Sequence, residues 1–304
     1  MISRRDFLKN TLACSVLGGV NPFSQQTFTT EDLELSKVSI PSQKIGPALN
    51  AYKIAFISDL HCGVFLSERL LKNTIDFVNS AAPDLLILGG DYIGIPDNNM
   101  ARTFSYLRTA NFNVKRSSKL VTKIFSEFGA ALLKVKTKDG IYGVMGNHDH
   151  WNNGDICIKM LREFGVNMLI NEEASIQKNS EKLVLYGTDD YWTGIPRISE
   201  SFKNNNPNDF RIFISHNPDY IGETVYNSKA AFDLGLAGHT HGGQIHINGL
   251  GSPAGYNCRH KEFAVGTKHY GQSIIHTSRG IGVVDVPYRL NVRPEVTIFE
   301  LKSV

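Results

Sequence analysis

The sequence predicts a layered α/β fold in which helices cover sheets. Short apolar runs typical of buried strands alternate with segments whose apolar residues recur at helical spacing. Many of these strands are apolar on both faces, as strands between helical layers are. With 304 residues, 41% of them hydrophobic, the chain can form one large domain or two smaller ones with a real core.

The predicted strands share an apolar run that leads into polar residues or glycine. They are 52–58, 84–90, 140–147, 182–187, 209–216, 232–239, 272–278 and 295–301. The clearest helix is 67–82, where apolar residues recur at helical spacing and Ser67 is placed to cap the first turn. Further helices are expected near 117–136, 154–164 and 217–227.

Composition and charge exclude several classes of protein. A net charge of +3 implies no strongly acidic or basic partner, and we expect neither nucleic-acid binding nor assembly beyond a monomer. Four scattered cysteines without a CxxC pair argue against a disulfide framework and a thiolate zinc site. Apart from the N-terminus, a standard membrane-spanning helix is not expected, because the chain lacks a run of 18 apolar residues.

The N-terminus has the pattern of a twin-arginine export signal. "SRRDFLK" (3–9) places two arginines before an aromatic residue and a leucine, and a short, mildly apolar stretch follows. We therefore expect recognition by the twin-arginine machinery and a location in the periplasm or at the outer face of the cytoplasmic membrane. The expected organisation is a signal or anchor with linker at 1–30, a linker or edge segment at 31–50, and one domain at 51–304.

Polar side chains follow the predicted strands where each strand ends. They come from five separate strands: Asp59, His61, Asp91, Asn147, His148, Asp149, His216, His239 and His241. Because ligands of open α/β sheets bind beyond the carboxyl ends of the strands, we expect these side chains to meet at one edge.

This set of side chains indicates a metal centre. Oxygen and nitrogen donors without sulfur suit Mn²⁺, Zn²⁺ or Fe. Seven ligands from this set would be too many for one ion, but they can form two metal sites if one carboxylate bridges the two ions. Two such ions activate water and stabilise the attacking and leaving oxygens of a phosphoryl group.

Five motifs resemble, in order, those of the calcineurin-like metallophosphoesterases. They are "DLH" (59–61), "GGDY" (89–92), "GNHD" (146–149), "SHNPD" (215–219) and "GHTHGGQ" (238–244). The resemblance covers roughly residues 51–302. It is nearest to the YaeI/YkuE-type, twin-arginine-exported phosphodiesterases, to which the N-terminus and the tail "RLNVRPEVTIFEL" (289–301) are also similar.

The resemblance implies the fold, the ligands and the reaction. It implies an α-β-β-α sandwich with two central mixed sheets flanked by helices, and hydrolysis of phosphodiester or pyrophosphate bonds by a metal-bound hydroxide. One divalent ion is held by Asp59, His61 and His241, a second by Asn147, His216 and His239, and Asp91 bridges them. His148 protonates the leaving group, and Asp149 orients the His148 ring.

Three further residues have open roles. The subgroup pattern allows Asp190 and Arg279 to bind substrate, although Arg279 fits a structural salt bridge equally well. Trp192 either lines a substrate pocket or belongs to the core.

The segment 98–140 departs from the subgroup pattern. It is longer than expected and carries nine Lys or Arg residues against two acidic ones. Part of it, 117–128, has the spacing of a basic amphipathic helix, which fits either membrane contact and a lipid-linked substrate or an ordinary helix with a solvated basic face.

Two functions compete with that of a phosphodiesterase. One is a UDP-2,3-diacylglucosamine pyrophosphatase-like enzyme of lipid A biosynthesis, whose cytoplasmic substrate conflicts with export. The other is a metal-binding module of the same fold without catalysis, against which the complete set of ligands and His148 argues.

Overall fold

The computed structural model describes residues 27–28, 32–63, 66–94, 118–204, 206–253, 255–284 and 286–304. Its strands are β1 (Thr27–Phe28), β2 (Glu34–Ser42), β3 (Lys53–Ile57), β4 (Cys62–Gly63), β5 (Leu85–Leu88), β6 (Ile93–Gly94), β7 (Ile141–Gly143), β8 (Val166–Met168), β9 (Glu172–Lys178), β10 (Glu181–Gly187), β11 (Phe210–Ile214), β12 (Leu234–Ala237), β13 (Gly266–Tyr270), β14 (Ser273–Thr277), β15 (Arg289–Leu290) and β16 (Glu295–Ser303). Its α-helices are α1 (Glu68–Ser80), α2 (Ser118–Leu132), α3 (Asn147–Glu163), α4 (Glu200–Lys203) and α5 (Pro218–Tyr226), and short 3₁₀ turns lie at His241–Gly243 and Lys261–Phe263.

The described strands form two six-stranded mixed sheets and two small two-stranded ones. The first large sheet has the order β2-β16-β3-β5-β7-β8 and is parallel except between β16 and β3. The second has the order β13-β14-β12-β11-β10-β9, with parallel centre strands and antiparallel edge pairs. The small sheets pair β1 with β15 and β4 with β6.

The two large sheets pack face to face between layers of helices. In β3, Ile54 and Phe56 pack with apolar residues of the second sheet, whereas Ala55 and Ile57 pack against α1, α2 and α3. The outer face of the second sheet packs on Phe202 of α4 and on α5. Because successive residues of a strand point to opposite faces, a strand buried on both faces is apolar throughout. The expected α-β-β-α arrangement is confirmed.

Helix α1 shows why the pattern of the sequence was sufficient in this region. The Ser67 hydroxyl accepts a hydrogen bond from the Leu70 N–H at 3.1 Å, so the first turn is capped as predicted. The apolar positions at helical spacing lie on its buried face.

The structure adds elements at places where the sequence pattern was weak. Residues 34–42, for which linker and edge segment were both open, form the edge strand β2, paired along nine residues with β16. The edge strands β8, β9 and β13 were not predicted either. Helix α3 begins at Asn147, before the predicted start near 154. A break in the backbone at Asn153 divides the helix, and the apolar spacing on which the prediction was based starts only after that break. None of the helices in the described part of the chain is long and apolar enough to cross a membrane.

Candidate metal centre

The candidate ligands lie in loops at one edge of the two sheets, where the parallel strands end. Asp59 and His61 follow β3, and Asp91 follows β5. Asn147 is the first residue of α3, which comes after β7. The second sheet supplies the remaining ligands from the loops after β11 and β12: His216, His239 and His241.

One group of donors contains Asp59, His61 and His241. Their donor atoms lie within 4.8 Å of one another. The Nε2 atoms of His61 and His241 are 3.0 Å apart, and the Asp59 Oδ1 atom is 3.5 Å from His241 Nε2. These are the three residues expected to hold the first ion.

The second group shares Asp91 with the first. Asp91 Oδ2 lies 3.2 Å from His216 Nε2 and 3.6 Å from His61 Nε2, so its carboxylate stands between the two groups. His239 Nδ1 is 3.0 Å from the Asn147 Oδ1 atom. The structure therefore brings all seven predicted ligand side chains into one cluster, and every one of them is buried.

The second nitrogen of two histidines is bound to a backbone carbonyl. His216 Nδ1 lies 2.7 Å from the Gly89 oxygen, and His239 Nε2 lies 3.2 Å from the Asn257 oxygen. A ring N–H that donates to a carbonyl leaves the other nitrogen free to bind a metal. His216 Nε2, on the other side of its ring, is buried and faces the Asp91 carboxylate at 3.2 Å. The donor set therefore fits a divalent cation.

Burial keeps three of the histidines in the neutral form that binds metals. It lowers the pKa of His61 and of His239 to about 3, and lowers the pKa of His241 well below its usual value. At His216 burial acts in the same direction, but the carboxylates led by Asp91 outweigh it and raise the pKa of this ring well above 6.5. The negative charge that draws a proton to His216 would equally favour a cation.

The backbone is strained at five of the seven ligands. The φ angles are 54° at Asp59, 48° at His61, 54° at Asp91, 71° at His239 and 52° at His241, in the left-handed region that non-glycine residues rarely adopt. Such positions cost about 1–3 kcal/mol each and cluster at functional sites. The His239 N–H donates to the Asp59 carboxylate, which links the two sheets at this point.

Two glycines allow the loops to approach one another. A Cβ atom on Gly238 would lie 1.9 Å from Ser58 Oγ, and one on Gly146 would lie 2.2 Å from Asp91 Oδ1. Both distances are far inside van der Waals contact, so any side chain here would displace a carboxylate of the cluster or its neighbour.

His148 lies beside the cluster, half-buried. Its ring is edge-on to His61 with centroids 4.7 Å apart, and its donor atom lies within 4.8 Å of those of His61 and Asp91. Its backbone N–H donates to Asp91 Oδ1 at 2.8 Å. The side chain predicted to act as the acid therefore lies next to the candidate ligands.

The prediction that Asp149 orients the His148 ring needs correction. The two Asp149 oxygens accept hydrogen bonds from four backbone N–H groups, those of Asp91, Tyr92, Ile93 and Gly146, at 2.9–3.2 Å. These bonds use the lone pairs of the carboxylate. Neighbours on a helix also point in different directions. Asp149 therefore fixes the backbone of Asp91 and the start of α3.

Arg279 and Asp190, the two residues for which substrate binding was open, both bind to other parts of the chain. Arg279 forms a salt bridge with Glu295, with Nε 3.0 Å from Oε2, and its Nη2 lies 3.3 Å from the Glu34 carboxylate. Of the two roles left open for Arg279, the salt bridge is the one observed. The Asp190 Oδ2 atom accepts hydrogen bonds from the backbone of Trp192 and Thr193, so this carboxylate holds a loop.

Sequence reasoning missed Arg289, which is fully buried beneath the cluster. Its guanidinium donates to the carbonyl oxygens of Arg279, Gly282 and His241. It thereby joins the "TSRGIG" segment to the His241 loop. The Nη2 atom of Arg289 also lies 3.3 Å from His241 Nδ1. The tail motif that contains Arg289 was the one signal for it, because its carbonyl acceptors are backbone atoms that a sequence pattern does not display.

Comparisons with known proteins agree with this geometry. The family model described as "Calcineurin-like phosphoesterase" matches residues 52–243. The chain is 30% identical to the phosphodiesterase YaeI of Escherichia coli, with 99% of this chain and 100% of that protein covered. It is 27% identical to the uncharacterized metallophosphoesterase YkuE of Bacillus subtilis, with 99% and 98% covered. With its α/β sandwich and its cluster of Asp, Asn and His donors, the chain belongs to the calcineurin-like phosphoesterase family.

Proposed function

We propose that this protein is a dinuclear metal-dependent phosphodiesterase. The observation that carries the proposal is the gathering of seven donor side chains, Asp91 among them, in one cluster with His148 at its edge. The name of the relative YaeI, a phosphodiesterase, supports the same reaction class. The substrate class is a phosphodiester, with a lipid-linked pyrophosphate as the further candidate.

The ligands divide between two cations as their contacts suggest. Asp59, His61 and His241 would hold one, and Asn147, His216 and His239 would hold the other, with Asp91 shared. Such a pair supplies charge neutralisation at the phosphate and lowers the pKa of water toward about 7. Mn²⁺, Zn²⁺ and Fe all accept this set of oxygen and nitrogen donors.

The residues of this chain supply positioning and proton transfer. Asp91 is held by the bonds of its backbone N–H to Asp149 and of its carboxylate to the His148 N–H, so the shared ligand is fixed before substrate binds. The His148 ring, half-buried beside His61, carries a proton at a ring nitrogen and gives it to the departing oxygen.

Replacing His148 tests the proposal. The purified, Mn²⁺-loaded protein should hydrolyse bis-p-nitrophenyl phosphate, and His148→Ala should lower kcat by about 10²–10⁴-fold. Because His148 is not assigned as a ligand, the variant should keep its metal. His269→Ala, at an exposed histidine of β13, is the control and should keep full activity. Metal binding without turnover in the wild type would instead indicate a catalytically silent module.

We also propose export by the twin-arginine route, which would place the enzyme outside the cytoplasm. The support is the "SRRDFLK" sequence alone, since residues 1–26 lie outside the described part of the chain. Replacing Arg4 and Arg5 together by lysine should retain the protein in the cytoplasm when cells are fractionated. Unchanged fractionation would contradict the proposal.

Within 98–140, we propose membrane contact only for the exposed face of helix α2. Residues 98–117 lie outside the described part, and helix α2 buries Val121, Phe125 and Phe128 in the core. What remains for an anionic membrane is the exposed basic face with Lys119 and Lys123. Replacing both lysines by glutamate should weaken binding to anionic liposomes, and unchanged binding would count against this contact.

A further inference from the structure

Both tryptophans of the chain contact histidines of the candidate site. The Trp151 ring lies 4.8 Å from that of His148, and the Trp192 ring lies 4.3 Å from that of His239, at 82° to it. His239 is a predicted metal ligand, so Trp192 stands at the boundary of the proposed metal centre.

Trp192 differs from a core tryptophan in its exposure. It is 40% exposed although it touches His239, which is only 7% exposed. A large aromatic side chain stabilises a protein mainly through the area that it buries. A tryptophan whose role was to pack in the core would therefore leave much less of its indole in solvent. The indole therefore combines contact with a candidate metal ligand with a surface that is open to a bound group.

The loop 189–195 is built to hold Trp192 in this place. Asp190 Oδ2 accepts hydrogen bonds from the Trp192 and Thr193 N–H groups at 2.9 and 2.7 Å. The neighbouring Asp189 carboxylate accepts one from the Ile195 N–H at 2.9 Å.

The loop is also fixed to helix α3. The other oxygen of Asp189 lies 2.9 Å from the ring nitrogen of His150, and α3 begins with Asn147 and His148 of the site. Two successive carboxylates thus fix the backbone that carries Trp192 relative to helix α3, as a specificity residue requires.

We infer that Trp192 is a specificity residue that contacts the organic substituent of the phosphoester, and that the enzyme favours esters with a flat or apolar group next to phosphorus. The inference rests on the proposed function. An aromatic face stacks well on flat groups and buries apolar ones, whereas a methyl group offers it little area. Asp190 acts through Trp192 as a positioning residue, which accounts for its place in "GTDDYWTG".

Equilibrium binding of two phosphonates tests the inference without turnover. Phenylphosphonate and methylphosphonate present the same anionic group to the metals and differ in the substituent. Calorimetric titration of the Mn²⁺-loaded protein should show that Trp192→Ala weakens phenylphosphonate about tenfold and changes methylphosphonate less than twofold. Trp192→Phe should restore most of the phenylphosphonate affinity.

Tyr270→Ala provides the matched control. Tyr270 is 39% exposed, and its ring contacts are with Tyr226 and Phe263, on the outer side of the second sheet. This variant should bind both phosphonates as the wild type does. Metal content measured for each variant shows whether the centre is intact.

The outcomes separate the inference from the proposed function. Equal weakening of both phosphonates by Trp192→Ala would mean that the ring only supports His239, and it would overturn the inference alone. Unchanged affinity for both would overturn it as well. A metal-loaded wild type that binds neither phosphonate and hydrolyses no diester would overturn the proposed function, and the inference with it.

Discussion

Arg289 places a charged side chain in a fully buried environment. A guanidinium is rarely fully buried, yet this one is, and its donors meet the carbonyl oxygens of Arg279, Gly282 and His241. Burial lowers its pKa to about 9. The side chain thus supplies hydrogen-bond donors to three carbonyls behind the candidate metal centre.

Removing this side chain should destabilise the fold. Arg289→Met removes the donors of the Arg279 and Gly282 carbonyls, while the His241 carbonyl keeps the Gln244 N–H. Each buried unsatisfied group costs about 1–3 kcal/mol, so urea unfolding should show a loss of at least about 2 kcal/mol. Arg259→Met, at a side chain that is 76% exposed, is the control and should change stability by less than about 0.5 kcal/mol. An equally small change for Arg289→Met would show that the carbonyls do not need it.

His276 predicts a pH dependence of stability at the residue scale. It is buried in β14, where its two ring nitrogens contact the hydroxyls of Thr267 and Thr297. Glu295 Oε1 lies 3.9 Å away, and the positive charge of Arg279 also acts on the ring. Burial lowers its pKa to about 4, against about 6.5 in the unfolded chain. Because the unfolded state takes up the proton first, the neutral ring stabilises the fold above pH 6.5 and this contribution is lost as the pH falls toward 4.

A comparison of His276→Gln with the wild type isolates this group. The difference in unfolding free energy between the two proteins should shrink by up to about 3 kcal/mol between pH 7 and pH 4. Other buried histidines titrate in both proteins and cancel in the difference. A gap that stays constant over this range would contradict the assignment.

At the scale of elements, the sequence was informative where apolar spacing and caps agree. Helix α1 has both. Ser67→Ala removes the acceptor for the Leu70 N–H and should cost about 1 kcal/mol in chemical denaturation. Ser80→Ala, at an exposed serine in the last turn, should cost less than half as much. Equal costs for the two would show that the capping bond contributes nothing.

Edge strands and helix neighbours were harder to predict. Strands β2 and β9 carry many polar residues because one side of each faces solvent, so neither shows the apolar run of a central strand. Asp149 next to His148 suggested a pair, but adjacent helical residues diverge, and the carboxylate instead binds four backbone amides. Contacts that end on backbone atoms leave no residue pattern to recognise.

For the whole molecule, the convergence of ligands was predictable because it follows from topology. Parallel strands of two sheets end at one edge, so residues as distant in sequence as Asp59 and His239 come into hydrogen-bond contact. What topology could not give was the surroundings of the ligands: the Asn257 carbonyl that contacts the His239 ring, the Arg289 side chain, and the Trp192 ring beside His239.

The measurement that tests the central claim most directly is the metal content of the purified protein after loading with Mn²⁺ and gel filtration. We expect elemental analysis to find two ions per chain in the wild type and a marked loss in Asp91→Ala, which lacks the shared ligand. A wild type without stoichiometric metal, or an Asp91→Ala variant that retains both ions, would contradict the metal centre described above.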